Sequence, residues 1–151
     1  MKNKKIFILL ITLIILSTGC SKKSLACTSS NKNNGISVNQ KITFNFYNNK
    51  IKKIYYNVDT IGQSKNIKNN WDMIANELDN KYNQYQNDNP NLKLSTNNKT
   101  NKYTYNLSIF INLDNVTSDE LKDLQLSSLS NNKVKMEDVK KDFQKNGYKC
   151  K

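Results

Sequence analysis

The chain has 151 residues with 24 lysines, 12 acids and neither arginine nor histidine, so its formal charge of +12 is carried by lysine alone. Without histidine there is no Ser-His-Asp or Cys-His catalysis, no imidazole metal ligand and no imidazole pH switch. Without arginine there is no bidentate clamp on phosphate or carboxylate. The length fits one domain, and the 27 asparagines are read as the codon bias of an AT-rich genome.

Lys2, Lys4 and Lys5 precede an apolar run from Ile6 to Leu16, which Thr12 alone interrupts, and Leu16-Ser17-Thr18-Gly19-Cys20 follows. A positive segment, a short apolar run and small residues in that order read as a secretory signal. The run is shorter than the roughly 20 apolar residues a bilayer span takes, so a permanent transmembrane helix is the weaker reading. An uncleaved anchor or a plain secretory signal are the alternatives to a lipoprotein signal. A cysteine directly after the small residue resembles the bacterial lipoprotein signal, although the usual aliphatic residue three before the cysteine is Ser17 here. That resemblance implies cleavage before Cys20 and a diacylglyceryl group on its thiol. Two or more acyl chains anchor stably, at about 0.8 kcal/mol per buried methylene. The mature chain would keep 21 lysines against 12 acids, a charge of +9. Lys22 and Lys23 would meet anionic headgroups at about 1 kcal/mol each, or serve only export and solubility.

With Cys20 assigned to lipid, Cys27 and Cys150 remain. An even pair outside the cytosol suggests a disulfide, with two free thiols as the alternative. Two thiolates without histidine fall short of a metal site, and no Cys-x-x-Cys suggests redox work. A bridge at Cys27 would leave residues 21 to 26 between lipid and fold, a reach of roughly 20 Å.

Residues 28 to 35, TSSNKNNG, read as a polar loop. Ile36, Val38, Gln40, Ile42, Phe44 and Phe46 alternate as one face of a strand. Asn48-Asn49-Lys50 is a turn, and Ile54, Tyr56, Val58 and Thr60 form the partner strand of a hairpin. After Gly62 the period changes: Ile67, Trp71, Ile74, Leu78, Tyr82 and Tyr85 make a helical stripe capped by Ser64 or Asn66, its aromatics packing on the sheet. Asp88-Asn89-Pro90-Asn91 ends it. Leu92 to Ser95 begins a strand, residues 97 to 101 turn, and Tyr103 to Leu113 alternates most strongly of all. Thr117 and Glu120 have capping-box spacing before a short helix. Met136, Val139 and Phe143 predict a last helix stopped at Asn146-Gly147.

These elements predict an α+β fold: a mainly antiparallel four-stranded sheet of two hairpins, a long helix between them, and two short C-terminal helices on one face. The chain divides into a signal over 1–19, a lipid-anchored polar tether over 20–35 and a single domain over 36–151. The signal, the Phe44/Phe46 hairpin, the helix, the Tyr105-to-Asp114 strand and the closing Val139-x3-Phe143-x3-Gly147-Tyr148 together resemble the small YehR-like bacterial lipoproteins. The Cys27…Gly147-Tyr148-Lys149-Cys150 frame is similar to a cysteine-bearing Gram-positive or mollicute subset of them. The resemblance covers about residues 20 to 151. It implies an export address and an α+β fold, and it brings no catalytic or ligand residues.

Asp72 with Glu77, or Asp138 with Asp142, offer paired carboxylates for acid–base work on a glycan. Such pairs arise by chance on any polar helix, and most acids here sit beside Lys or Asn as solvated charges do. Three Asn-x-Ser/Thr matches, at Asn98, Asn106 and Asn115, are expected by chance in so asparagine-rich a chain. Dispersed lysines, missing arginine and export argue against nucleic acid. The expectation is a membrane-anchored, non-catalytic binding or structural module of the cell envelope, with no cofactor and no metal. Anionic lipid or wall polymer is its electrostatic partner. The alternative is an accessory envelope enzyme or a subunit of an envelope assembly.

Overall fold

Asparagine turns organise the first half of the sheet. Asn34 and Gly35 take φ of 48° and 79°, the two positive values a type I′ hairpin turn requires. They fold β1 (Lys22–Asn33) onto β2 (Ile36–Tyr47), with Asn33 opposite Ile36. Asn48 and Asn49, at φ 50° and 60°, turn the chain again into β3 (Lys50–Gly62), with Tyr47 opposite Lys50. A second hairpin, β4 (Lys93–Lys99) and β5 (Thr104–Asn112), is closed by a 3-10 turn at Thr100–Lys102, and β5 pairs with β3. The two-residue β6 (Lys149–Cys150) lies against β1. The computed structural model describes residues 22–124, 126, 129 and 134–151. Among them the sheet has six strands in the order β4-β5-β3-β2-β1-β6, and every pairing is antiparallel.

Four helices lie among the described residues: α1 (Lys65–Asn69), α2 (Trp71–Asp88), α3 (Ser118–Asp123) and α4 (Met136–Lys145). They cover one face of the sheet. Phe143 of α4 meets Phe44 of β2 edge-on at 5.0 Å. Trp71 and Ala75 of α2 pack with Tyr105 of β5, and Leu121 of α3 joins the same core as Leu25, Ile42, Ile54 and Ile111. The opposite face carries polar rungs between strands. Ser108 Oγ donates to Asn57 Oδ1 at 2.8 Å, Asn106 Nδ2 to Asp59 Oδ1 at 2.5 Å, and Ser30 Oγ to Asn39 Oδ1 at 2.6 Å.

The four-stranded expectation is corrected by two strands. Residues 22–33, expected as tether and loop, form β1 along its whole length, and Lys149–Cys150 adds β6. In β1 only Leu25 and Cys27 are buried, so the strand is polar almost throughout, as an edge strand is. The expected first hairpin, β2–β3, is therefore the second half of a three-strand meander, β1-β2-β3. Residues 22–33 of the expected tether over 20–35 therefore belong to the sheet. The long helix is also divided. Asn70 ends α1 and starts α2, and its amide donates to Asn66 O at 2.9 Å, a local bond that competes with helix propagation. In β3 the apolar positions Ile51 and Ile54 are three apart, yet both are fully buried. The register shifts opposite Asn45/Phe46, and a bulge there lets both side chains point inward. The capping box holds as read, with Thr117 and Glu120 bonded reciprocally.

Candidate functional site

Cys27 and Cys150 sit directly opposite each other on β1 and β6 and are joined by a disulfide. The backbone brings them together: Ala26 and Lys151 exchange N–H···O bonds of 3.1 and 2.9 Å, and Thr28 Oγ1 donates to Lys149 O at 3.4 Å. Cys27 is completely buried. The bridge closes a loop spanning 123 positions, which loop-entropy reasoning values at about 4.7 kcal/mol for a loop on the order of 100 residues. Lys22 and Lys23 are the first two residues of β1, exposed and opposite Tyr47 and Phe46. Cys20 and the signal lie outside the described residues.

The helices leave a groove along the covered face, between α2 and α4. Ile36, Val38, Gln40 and Tyr56 form its floor; Tyr82 and Tyr85 line it from α2, and Phe143 and Tyr148 from the C-terminal side. Two adjoining parts of it measure about 960 and 760 Å³, within the size range of small-molecule sites. Gln40 is the polar point on its floor: its Oε1 accepts from Tyr148 Oη at 2.6 Å and from Ser29 Oγ at 3.0 Å. Burial, and then the neighbouring Tyr148 and Tyr82, push the Tyr56 phenol well above its ordinary value. Burial raises Tyr82 as well. Tyr105, beyond the groove, is pushed up to about 12 by burial and by its hydrogen bond to Asp79. These phenols stay protonated at neutral pH, so they present neutral hydroxyls to a groove whose lining mixes apolar residues with Ser29, Asn31, Asn33 and Gln40.

The paired acids do not converge on a reactive centre. Asp72 and Glu77 are exposed on α2, and Asp138 and Asp142 on α4, with Asp142 reaching the groove rim. Two of the three Asn-x-Ser/Thr matches do structural work: Asn98 Oδ1 accepts from Trp71 Nε1 at 3.1 Å, and Asn106 bonds Asp59. The sequence signal for the groove is a glutamine, Gln40, set inside the alternating apolar face of β2. Tyr82 and Tyr85 pack against the core, as the helical stripe predicts, and also line the groove.

No protein-family model and no curated protein matches this chain. The fold is similar to that of a solved structure described as the NMR structure of the protein from Streptococcus pneumoniae TIGR4, at 12% identity and a TM-score of 0.56. The match covers 89% of this chain and 88% of that one. At that identity the likeness concerns the fold alone.

Proposed function

We propose that the protein is a membrane-anchored, extracytoplasmic lipoprotein acting as a non-catalytic binding or structural module of the cell envelope. The observation that carries this reading is the Cys27–Cys150 bridge between the first and last strands, since such bridges persist in oxidising space outside the cytosol. The lysine-apolar-cysteine order at the N-terminus and the resemblance to YehR-like lipoproteins support it. Among the described residues no helix is long and apolar enough to cross a membrane; in this reading a lipid on Cys20 supplies the attachment. The groove between α2 and α4, with its protonated phenols and its mixed polar and apolar lining, is the surface a binding role would use.

Intact-mass measurement of protein extracted from bacterial membranes without reduction tests this. A diacylglyceryl mass on Cys20, with no alkylatable thiol at Cys27 or Cys150, is the expected result, and Cys20→Ser should release the protein from the detergent phase. An unmodified Cys20 in membrane-extracted protein, or two free thiols on the folded domain, would overturn the reading.

A further inference from the structure

The end of the sheet where β1 begins is built differently from the rest of the surface. Ends of four strands, β1, β2, β3 and β5, meet there, and on the helix-free face they bring together Lys22, Tyr47, Lys50, Lys53, Tyr55 and Phe110. Lysines and rings are neighbours across the strands: Lys22 lies opposite Tyr47 and Tyr47 opposite Lys50, while Tyr55 lies opposite Phe110. Lys53 Nζ stands 6.0 Å from the centre of the Phe110 ring, and the Tyr55 and Phe110 rings are 5.2 Å apart. Tyr47 and Tyr55, at 38% and 40% exposure, are two of the three large hydrophobic residues left exposed among the described residues. The bulge in β3 places Lys52 beside them, where it is paired with Asp114 at 2.7 Å. A shallow recess of about 470 Å³ lies among these side chains. No core-packing demand explains lysines and exposed rings interleaved on one corner.

We infer that this corner is a docking surface for anionic phospholipid headgroups, holding the sheet end-on against the bilayer. The inference rests on the anchored-lipoprotein reading and specifies how the anchored domain sits. Three arguments select lipid as the occupant. The charge is complementary to an anionic surface, which attracts lysine within a Debye length. Tyrosine is a residue of membrane–water interfaces, where its ring meets the acyl boundary and its hydroxyl stays wet. The chain also enters β1 at this corner, two residues after Cys20, so an acylated Cys20 would keep the corner within one or two residue lengths of the headgroups, about 7 Å of extended chain. The far end of β1 lies roughly 36 Å away at strand rise, out of reach of the same surface. Lys32, Lys65 and Lys102 at that far end serve as internal controls.

The test uses the mature protein reconstituted on vesicles of phosphatidylcholine, with and without phosphatidylglycerol, and probed with a water-soluble lysine-acylating reagent. Lys22, Lys50 and Lys53 should lose reactivity severalfold on the anionic vesicles while Lys32, Lys65 and Lys102 do not, and high salt should restore it. Replacing Lys50→Gln and Lys53→Gln together should lower the anionic-lipid component of binding about fivefold per lysine, with the disulfide and circular dichroism unchanged. Equal reactivity of both lysine groups on anionic vesicles would overturn the inference. Flotation on pure phosphatidylcholine reads the anchor separately. Protein that fails to float there lacks the anchor, yet its salt-sensitive binding to phosphatidylglycerol vesicles still reports on the corner.

Discussion

The two sides of the sheet are secured by different means. On the β1 side a two-residue strand is fastened through one covalent bond, Cys27–Cys150, flanked by the paired backbone of Ala26 and Lys151. On the β4 side the strand pairs with β5 over its whole length but is otherwise largely exposed, and side-chain hydrogen bonds tie it and the segment before it to the helices. Gln86 of α2 donates to Leu92 O at 2.8 Å and accepts from Leu94 N at 2.8 Å. Trp71 Nε1 donates to Asn98 Oδ1, and Glu120 accepts from Asn91 of the segment leading into β4. A covalent staple acts mainly by restricting the unfolded chain, whereas the hydrogen bonds act in the folded state. The two sides should therefore fail differently when challenged.

The largest effect is expected from the staple. Cys150→Ala, or reduction of the bridge, should cost about 4 kcal/mol in urea or thermal unfolding. Amide exchange should quicken first in β1 and β6 and leave β4 and β5 protected until global unfolding. If β4 exchanges as early as β1, the two sides are not independent and the contrast fails. Gln86→Ala should cost about 2 kcal/mol, because it strands partly buried groups at both Leu92 and Leu94, with faster exchange confined to β4 and the Leu92–Leu94 segment.

The same contrast explains what the sequence made legible. Central strand β5 buries a full alternating face and β2 buries one at Ile42, Phe44 and Phe46, so period two identified them. β1 buries two side chains, Leu25 and Cys27, and the stretch after them is polar, so composition pointed to a loop. The signal that could have found it was Asn34-Gly35, a hairpin turn pair directly before a strong strand. β6 is too short for any periodicity, and only the cysteine marked it. Ser64, Thr117 and Glu120 were readable because caps act locally. The break at Asn70 was not, because the apolar stripe runs through it from Ile67 to Trp71. Of the candidate surfaces, Lys22 and Lys23 were visible as charge after the signal. Their neighbours Tyr47, Lys53 and Phe110 come from three separate strands, and only the register assembles them. The groove has the same origin, since Gln40 and Tyr148 are separated by 108 positions and meet through β6.

The finest probe of the β4 side is a change in charge with little change in shape. Glu120 is buried at 6% exposure. Burial alone would raise its carboxyl. Hydrogen bonds from the Thr117 backbone and hydroxyl and from the Asn91 backbone and amide outweigh that, and hold it below its ordinary value of 4.5. A carboxylate with a lowered folded-state value stabilises the fold above its unfolded value and loses that contribution as pH falls through the folded one. Glu120→Gln keeps the volume but turns an amide N–H₂ toward donors that need an acceptor, so it should cost about 1 kcal/mol at neutral pH. The deficit should shrink as pH drops below 4.5, where the native carboxyl gains its own proton. Urea midpoints for the native and Glu120→Gln proteins at neutral and acidic pH measure this directly. A deficit of constant size across that range would mean that Glu120 holds the approach to β4 by packing rather than by its charge-assisted bonds to Thr117 and Asn91.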